Sequence, residues 1–373
     1  MNSTKKIILT LCLCFAVSAA FSQSAYINKV YDFRPAPGQF INEAPEYELG
    51  DTKSEIIKKV EEYIVNDQRS LVSLGAYGGY IIFGFDHPVV NVKGEYDFKI
   101  QGNAFTPSET AGEMTGGSSE PGIVCVSYDA NKNGIPDDDW YELAGSEYFS
   151  TQTIQDYEIT YYKPENIGDD IRWKDNLNNE GFVFRNTFHT QIYWPKWTNE
   201  EVLVFKGKRL ADNYSIVENN GNNYYLQKPY DWGYADNLPN NSDESSFKIE
   251  WAVDKNGNSI DLLQVDFIKV YTAVNQSCGW LGESSTEIIG AVDLHPDALV
   301  SIEEIKDQSF TILSNPIKET LIIYSTQNQT VDLYNIQGKK LYSFSLSEGN
   351  NYIELGNLSS GFYILNKQKV VKQ

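Results

Sequence analysis

Residues 70–85 read SLVSLGAYGGYIIFGF, and this stretch decides the fold class. Its β-branched and aromatic side chains favour extended backbone, and its glycines interrupt it at short intervals. Comparable segments recur along the chain, each bounded by Gly, Asn, Asp or Pro: EYDFKIQGNAF (95–105), GIVCVSYD (122–129), DYEITYYK (156–163), SFKIEWAVD (246–254) and LLQVDFIKVYTAV (262–274). Such short segments separated by turns indicate a chain made mostly of strands.

Long loops between these strands and the lack of repeating helices predict a β-sandwich of jelly-roll type. One helix is nevertheless expected early in the chain. Thr52 and Glu55 form a capping-box pattern around the start of SEIIKKVEEYIVNDQ (54–68). Apolar side chains then recur at helical spacing, at Ile56, Ile57, Val60, Tyr63 and Ile64. The predicted fold class is therefore mainly β, with one N-terminal helix.

Residues 1–23 are expected to be a signal peptide. Lys5 and Lys6 precede the apolar run IILTLCLCFAVSAAF (7–21), and the small residues Ala20 and Ser22 occupy the two positions that a signal peptidase reads. The protein is therefore expected to be exported. Lipidation is not expected, because both cysteines of this segment follow a leucine rather than a small residue. No later stretch reaches the roughly 18 uninterrupted apolar residues of a membrane helix.

The composition limits the classes of partner. The 373 residues include 51 acidic and 30 basic ones, which gives a formal net charge of −21. Such a field repels nucleic acid and tolerates divalent cations, so no nucleic-acid partner is expected. Aromatic residues make up 13% of the chain, which favours strands with wide aromatic surfaces. Cys125 and Cys278, the cysteines left after export, either form a disulfide or remain two separate buried thiols.

The character of the sequence changes near residue 300. The polar stretch SIEEIKDQ (301–308) is typical of a linker, and short alternating strands resume after it. Residues 309–373 are predicted to form a small Ig-like β-sandwich, whose size suffices for an independent domain. Residues 24–300 are predicted to form the larger, ligand-binding β-sandwich.

The second domain contains SNPIKETLIIY (314–324), VDLYNIQGKKL (331–341) and NYIELGNLSSGFYILNKQKVVKQ (351–373). These segments resemble the C-terminal sorting domain of the type IX secretion system of Bacteroidetes. The resemblance implies export in two steps, first through the inner membrane and then across the outer membrane. It also implies the type IX secretion machinery as a partner, and a product that is released or attached to the outer surface of the cell.

The first domain contains FRPAPGQFINEAPEYELGDT (33–52), SLGAYGGYIIFGFDHPVVN (73–91), YDWGYADN (230–237) and VDFIKVYTAVNQSCGWLGESSTEIIGAVDLH (265–295). These segments resemble an uncharacterised group of Bacteroidetes cell-surface proteins. Members of the group tend to lie near genes for TonB-dependent uptake, some of them associated with cobalamin transport. The resemblance implies ligand capture at the surface, with an outer-membrane TonB-dependent transporter as a partner, and it assigns no residue roles.

The stretch DANKNGIPDDDW (129–140) has the spacing of a calcium-binding loop. Oxygen-bearing side chains recur at alternate positions, and a glycine lies at the sixth position, where the loop must turn sharply. Calcium takes roughly six to eight oxygen ligands, which such a turn can place about one point. The predicted ligands of a Ca²⁺ ion are Asp129, Asn131, Asn133, the carbonyl of Ile135, and Asp137.

The loop departs from an EF-hand in two respects. Its twelfth position is Trp140, where an EF-hand has a bidentate glutamate, and its flanks GIVCVSYD and WYELAG are typical of strands. A structural calcium site in a β-protein therefore fits better, with Asp138, Asp139 or Glu142 completing the shell. The alternative is an Asx-rich turn that holds no metal.

Most familiar enzyme classes lack support in the sequence. The three histidines fall in unrelated contexts, and neither a GxSxG elbow, a P-loop nor a dinucleotide fingerprint occurs. Paired carboxylates remain possible, because glycosidases need only two acids a fixed distance apart. The residues of choice for such hydrolysis are Glu283, Glu287 and Asp293.

Aromatic segments give the best indication of a binding surface. HTQIYWPKW (189–197), NYYLQKPYDWGYADN (223–237) and DIRWKDN (170–176) combine Trp and Tyr with polar side chains in turn-like contexts. Flat aromatic faces beside hydrogen-bonding groups bind sugars and other flat ligands. The predicted ligand-binding residues are Trp194, Trp197, Tyr230 and Trp232, although a sandwich of this size must also bury aromatic side chains in its core.

These observations favour a secreted, calcium-stabilised protein that captures a small molecule or glycan at the outer surface of a cell. A glycan-cleaving hydrolase with paired carboxylates and a structural or adhesive surface protein are the alternatives.

Overall fold

A computed structural model describes residues 23–110, 113–115, 117–219, 221–298, 309–335, 339–366 and 368–373. The predicted signal peptide, apart from Gln23, and the predicted linker 301–308 lie outside these residues. The chain divides into two compact units, Met1–Val300 and Ser301–Gln373. Each unit has a hydrophobic core of its own.

The first unit consists mainly of short antiparallel strands. In chain order these are β1 (Lys29–Arg34), β2 (Val72–Ser73), β3 (Tyr80–Gly84), β4 (Val89–Val90), β5 (Phe98–Gln101), β6 (Ser108–Thr110), β7 (Glu113–Thr115), β8 (Gly122–Ser127), β9 (Trp140–Leu143), β10 (Ile154–Tyr162), β11 (Ile171–Asp175), β12 (Glu180–Val183), β13 (Val202–Arg209), β14 (Tyr214–Asn219), β15 (Asn222–Gln227), β16 (Ser246–Phe247), β17 (Ala252–Val253), β18 (Gln264–Val265), β19 (Phe267–Thr272), β20 (Glu287–Ile288) and β21 (Gly290–Asp293). The helical elements described are the α-helix α1 (Lys53–Ile64) and the 3₁₀ turns Asp243–Ser245, Ile249–Trp251 and Gly279–Leu281.

The second unit is a small β-sandwich. Its strands are β22 (Phe310–Ile312), β23 (Thr320–Ser325), β24 (Gln329–Asn335), β25 (Lys340–Leu346), β26 (Gly349–Glu354), β27 (Gly361–Leu365) and β28 (Gln368–Lys372). They form two sheets, β22-β23-β26 and β25-β24-β27-β28. Apolar side chains from both sheets, among them Leu321, Ile323 and Leu333, form the core between them.

A six-stranded sheet of order β1-β3-β19-β8-β9-β17 forms the centre of the first unit. Successive side chains of a strand point to opposite faces. In β19, Ile268 and Val270 join one hydrophobic core, whereas Tyr271 joins another cluster. In β8, Val124 and Ile123 divide in the same way. The middle of the sheet is therefore buried on both faces, which explains why β3, β8 and β19 are almost continuously apolar.

Helix α1 covers one face of this sheet. Its buried residues Ile56, Val60 and Ile64 share a core with β1, β3, β5, β8 and β19. The predicted capping box is confirmed, because the Thr52 side chain caps the helix and the Glu55 carboxylate accepts the Thr52 N–H at 2.6 Å. The prediction of a mainly β fold with one early helix is confirmed for the described residues.

An aromatic core involves the sheet β12-β11-β10-β13 and the glycine-rich part of the opening stretch. Tyr77, Tyr161 and Phe205 are buried there, and the Tyr161 hydroxyl donates to the Tyr77 carbonyl at 3.0 Å. A Cβ on Gly78 would lie 2.3 Å from that of Phe205, and one on Gly79 would lie 1.8 Å from the Leu74 carbonyl oxygen. The two glycines are therefore required by close packing.

One predicted strand is wrong in detail. The segment SFKIEWAVD is divided into three elements. Strand β16 pairs with β5, the 3₁₀ turn Ile249–Trp251 follows, and β17 then pairs with β9. The cause is the buried carboxylate of Asp97, which accepts the Ile249 N–H at 2.7 Å. That hydrogen bond replaces a ladder hydrogen bond and turns the chain away from β5.

Two further expectations concern single features. Cys125 and Cys278 are free thiols, so they do not form a disulfide. Within the described ranges, the helices lack the length and apolar character needed to cross a membrane.

Candidate functional site

A cavity of about 380 Å³ opens on the first unit, and three glutamates line it. We call it the carboxylate pocket. Its described lining residues are Gln39, Phe40, Ala44, Leu71, Asn103, Glu120, His189, Leu281, Glu283, Ser285 and Glu287. Carboxylates seldom line a buried surface without partners, so this composition marks the cavity as a candidate binding or catalytic site.

The central sheet positions the acidic residues of the pocket. Glu120 lies just before β8, and Gly122 at the start of that strand pairs with Thr272 at the end of β19. The chain then runs from β19 through Glu283 to Glu287, which begins β20 and pairs with Ser73 of β2. Because β8 begins where its antiparallel neighbour β19 ends, Glu120 and Glu287 come to the same end of the sheet although they are far apart in sequence.

Glu120 and Glu287 also belong to a cluster with Asp236. One carboxylate oxygen from each residue lies within 4.8 Å of those of the other two. We call these three residues the acid cluster. Asp236 and Glu287 are buried, with 3% and 5% of their surfaces exposed, and Glu120 is half-buried.

Asp236 is held by backbone donors from two other segments. Its Oδ1 accepts the N–H groups of Asn103 at 2.8 Å and Ala104 at 2.9 Å, and its Oδ2 accepts that of Glu287 at 2.9 Å. The residue has a φ of 51°, in the left-handed region that non-glycine residues rarely adopt. Three charge-assisted hydrogen bonds offset this strain and fix the carboxylate in one orientation.

Glu120 and Glu287 have fewer donors. Glu120 Oε1 accepts the Ser285 N–H at 3.0 Å and the Gln227 side-chain amide at 3.3 Å. Glu287 Oε1 accepts the Ser73 hydroxyl at 3.3 Å, whereas its buried Oε2 accepts no N–H or O–H from a described residue. The Glu120 and Glu287 carboxyl groups are close enough to share a proton.

Burial raises the pKa of all three acids of the cluster, and the Glu120 carboxylate raises the pKa values of Asp236 and Glu287 further. No arginine, lysine or histidine of the described residues forms an ion pair with them. Like charges this close in a desolvated site cannot all remain ionised without compensation. The cluster therefore holds protons or a cation.

Glu283 is a separate acid on the wall of the pocket. Its Oε1 accepts the Gln39 N–H at 2.5 Å, and its Oε2 accepts the Gln39 side-chain amide at 3.3 Å. Burial raises its pKa to about 8 against these hydrogen bonds. At neutral pH Glu283 is thus mainly protonated and can donate a hydrogen bond into the pocket.

The rest of the pocket supplies an apolar wall. The rings of Phe40 and His189 pack edge to face, with centroids 4.6 Å apart, and the half-buried Leu71 and Leu281 add aliphatic surface. Gln39 is buried, and its Oε1 lacks a hydrogen-bond partner. The pocket therefore combines carboxylates and an amide with one aromatic wall, which is the composition of a site for a polar ligand with a flat or apolar part.

The four predicted ligand-binding residues do not line the carboxylate pocket. Trp194 is 4% exposed and belongs to the aromatic core. Trp197 lies near Phe33 and Tyr47 and lines a different cavity, of about 240 Å³. We call this cavity the Trp197 groove.

Tyr230 and Trp232 lie elsewhere in the first unit. The Tyr230 hydroxyl donates to the Ala211 carbonyl, and Trp232 packs on Trp251 with ring centroids 4.6 Å apart. Both side chains are half-buried. A ligand contact by any of the four predicted residues remains a prediction.

The predicted calcium loop is exposed and tightly turned. Asp129 accepts the N–H groups of Asn133 at 3.1 Å and Gly134 at 2.8 Å, and Gly134 has a φ of 71°. The side-chain amides of Asn131 and Asn133 lie 3.2 Å or less from oxygens of Asp137. The predicted side-chain ligands thus converge.

These contacts are also those of an Asx turn, so calcium at this loop remains a prediction. Ile135, whose carbonyl was the fifth expected ligand, has a 53% exposed side chain. Glu142, one residue expected to complete the shell, instead forms an ion pair with Lys208 at 2.7 Å.

The sequence indicated only part of the carboxylate pocket. Glu283 and Glu287 were named as hydrolytic candidates, and both line the pocket, whereas Asp293 pairs with His87 at 2.8 Å and is not among its described lining. Glu120 and Asp236 were missed, because each is a single acid in a turn-like context. Asp236 directly after Ala235, and Glu287 directly before two isoleucines, were the available signals of buried acids.

Comparison with known proteins concerns the second unit. Residues 311–373 match the family model of the secretion system C-terminal sorting domain. No curated protein matches the chain. The match confirms the resemblance of this unit to type IX sorting domains, with the type IX secretion machinery as partner.

The chain is therefore an exported protein, with a secreted or cell-surface location. It presents a mainly β first unit whose most distinctive feature is the carboxylate pocket.

Glu283 predicts an unusual pH dependence of stability. Its pKa is about 8 in the folded chain against an ordinary value of 4.5, so its stabilising contribution is complete below pH 4.5 and is lost as the pH rises through about 8. In chelator, the unfolding free energy of the natural chain should therefore fall relative to that of Glu283→Gln between pH 5 and pH 8.5. Each unit of pKa shift corresponds to about 1.4 kcal/mol.

Urea unfolding followed by tryptophan fluorescence measures this difference, because all 7 tryptophans precede residue 300. Asp254→Asn is the control. Asp254 has a pKa of about 2, so its substitution should leave the pH slope of the natural chain unchanged. Parallel pH profiles for the natural chain and Glu283→Gln would contradict the proposed state of Glu283.

Deletion of residues 309–373 should separate folding from delivery. The first unit should remain folded, because its cores contain no residue of the second unit, and it should accumulate in the periplasm of a host with a type IX system. Cell fractionation with immunoblotting measures location, and tryptophan fluorescence measures folding. The full chain carrying Trp197→Ala is the control and should reach the surface. Surface delivery of the truncated chain would contradict the sorting role.

Proposed function

We propose that the first unit captures a polar small molecule or a glycan at the cell surface, and that the ligand binds in the carboxylate pocket. The observation that carries this proposal is the composition of one open cavity: three glutamates, a buried amide and an aromatic wall around about 380 Å³. A cavity of this size accommodates a ligand of drug or sugar size.

The chemistry of the wall defines the ligand class. Ionised carboxylates accept hydrogen bonds from hydroxyl or amino groups, whereas a protonated Glu283 donates one. The rings of Phe40 and His189 offer edges and faces to a sugar ring or a flat heterocycle. A ligand rich in hydroxyl or amide groups satisfies all of these contacts at once.

The location supports capture rather than metabolism within the cell. A protein delivered by the type IX machinery to the cell surface meets its ligand outside the outer membrane. We therefore propose an outer-membrane TonB-dependent transporter as the recipient of the ligand. Glycans are the ligand class of which the volume of the pocket admits one or two sugar rings, whereas corrinoids, which combine amide groups with a flat macrocycle, would enter only with part of their periphery.

A glycan-cleaving hydrolase is the second candidate. The observation that favours it is the presence in one cavity of a protonated acid, Glu283, and of the carboxylates of Glu120 and Glu287. Glycosidases use such a pair, one carboxyl protonating the leaving group and the other acting as nucleophile or base. Product formation from a bound glycan, lost in Glu283→Gln while binding remains, would favour this candidate.

We propose, in addition, that Ca²⁺ stabilises the loop of residues 129–137. The convergence of Asp129, Asn131, Asn133 and Asp137 supports this role, and so does the net charge of −21, which attracts cations. The loop is tied to the central sheet, because the Asp129 N–H donates to Asp266, directly before β19, at 2.8 Å. The ion would therefore stabilise the edge of the binding unit.

Ligand capture is tested by screening the purified chain from residue 24 against glycans and corrinoids, with binding measured by calorimetry. For a ligand that binds, His189→Ala should weaken the affinity about tenfold, or about 1.4 kcal/mol, because it removes half of the aromatic wall. Trp197→Ala is the matched variant in the Trp197 groove and should leave the affinity unchanged. The reverse pattern would place the ligand in the groove and contradict the proposal.

Calcium should raise the melting temperature of the first unit, and Asp129→Ala combined with Asp137→Ala should reduce that rise, because the loop loses two carboxylate ligands. Thermal unfolding followed by tryptophan fluorescence, with calcium and with chelator, measures the response. Asp254→Ala removes the acid of a comparable Asx turn, whose Oδ1 accepts the Asn256 and Asn258 N–H groups at 2.8 Å. This control should keep the full response. An equal rise in the double variant and the natural chain would contradict calcium at the loop.

A further inference from the structure

The acid cluster has the dimensions of a metal site. One oxygen each from Glu120, Asp236 and Glu287 lies within 4.8 Å of the other two. Two oxygens on opposite sides of one calcium ion are separated by about twice 2.4 Å, and neighbouring ones are closer. An ion placed centrally is therefore at most about 2.8 Å from each of the three oxygens, so small side-chain adjustments suffice to bring all three within the calcium–oxygen range.

Two buried oxygens of the carboxylate pocket, one of them in the cluster, lack a partner among the described residues. Glu287 Oε2 and Gln39 Oε1 accept no hydrogen bond from the described residues, although these side chains belong to residues only 5% and 4% exposed. Both residues line the carboxylate pocket. Buried polar atoms are almost always satisfied, and an orphaned acceptor requires either a donor or a cation. The unpartnered Oε2 of Glu287 therefore marks a missing donor or cation within the cluster itself, and Gln39 Oε1 marks a second one on the wall of the same pocket.

The backbone already orients the cluster for a ligand. Asp236 is fixed by three N–H groups and Glu120 by one, so their carboxylates lose little freedom when an ion binds. A proton shared between Glu120 and Glu287 would satisfy Glu287, but it would neutralise only one of the three acids and supply no counter-charge to the others. A hydrated cation compensates the negative charge and also brings water, which donates hydrogen bonds to the pocket.

We propose that Glu120, Asp236 and Glu287 bind a divalent cation of the calcium and manganese class beside the carboxylate pocket. Carboxylate oxygens are the ligands that such hard cations prefer, and the cluster contains neither the thiolate nor the imidazole ligands typical of zinc. Three carboxylates leave coordination positions open. Because Glu120 and Glu287 line the pocket, water or a ligand oxygen completes the shell from that side. This last role rests on the proposed function, whereas the cation site itself does not.

The test uses the chain from residue 24 with Asp129→Ala and Asp137→Ala, which removes the loop site. After treatment with chelator, this background is titrated with CaCl₂ and with MnCl₂ in separate calorimetric experiments. One binding event per chain is expected with at least one of these ions. Glu287→Gln and Glu120→Gln, each added to the background, should weaken the binding at least about tenfold, because each removes one of three carboxylates.

Glu283→Gln on the same background is the matched control, since Glu283 lines the pocket but lies outside the cluster. It should retain the affinity of the background. Tryptophan fluorescence confirms that each variant is folded, and neutral glutamine at a buried acidic position removes repulsion rather than packing. Absence of binding to the background, unchanged binding in both cluster variants, or an equal loss in Glu283→Gln would overturn the inference.

The titration contains no organic ligand, so its outcome is separate from that of the ligand screen. A cation bound by the cluster without any captured glycan or corrinoid would contradict the proposed function alone. Ligand capture without a bound cation would contradict the cation site alone.

Discussion

The first unit depends on a central sheet whose middle strands are buried on both faces. Because β3, β8 and β19 contact a core on each side, their side chains are apolar at nearly every position, and polar groups are displaced to the strand ends. Gly122 opposite Thr272 marks one such end, where β8 begins and β19 finishes. The acid cluster and the carboxylate pocket lie on the segments that enter and leave this end. Because the middle of the sheet is buried on both faces, its polar and acidic side chains lie at the ends of the strands.

Burial of acids at this end opposes folding. Desolvating a charge costs several kcal/mol unless hydrogen bonds or an opposite charge replace the lost water. Asp236 recovers part of that cost from three backbone N–H groups, whereas Glu287 has one weak donor. A core of ordinary apolar residues would be more stable at these positions. Their presence is therefore the feature that the proposed cation site would explain, because an ion would supply the missing counter-charge.

The sequence predicted what depends on local pattern. The alternation of apolar residues gave the fold class, and Thr52 with Glu55 located the helix. Contacts between distant segments were not predictable: Asp97 divides SFKIEWAVD from 152 residues away, and Asp236 meets Glu287 across 51 residues. Trp194, expected on a binding surface, lies in the aromatic core. A tryptophan next to a turn fits the sequence pattern of a buried residue as well as that of a ligand contact, so the sequence did not distinguish the two.

The separate cores of the two units have a thermodynamic consequence. Phe310, Leu321 and Leu333 belong to a core built from residues of the second unit, and the larger cores are built from residues of the first. A chain with two such cores is expected to unfold in more than one transition, which a single heat of unfolding would not describe. Each core contributes its own buried apolar surface, and hence its own part of the heat capacity change of unfolding. Calorimetry of the full chain should therefore record a contribution from the core of the sorting unit in addition to that of the first unit.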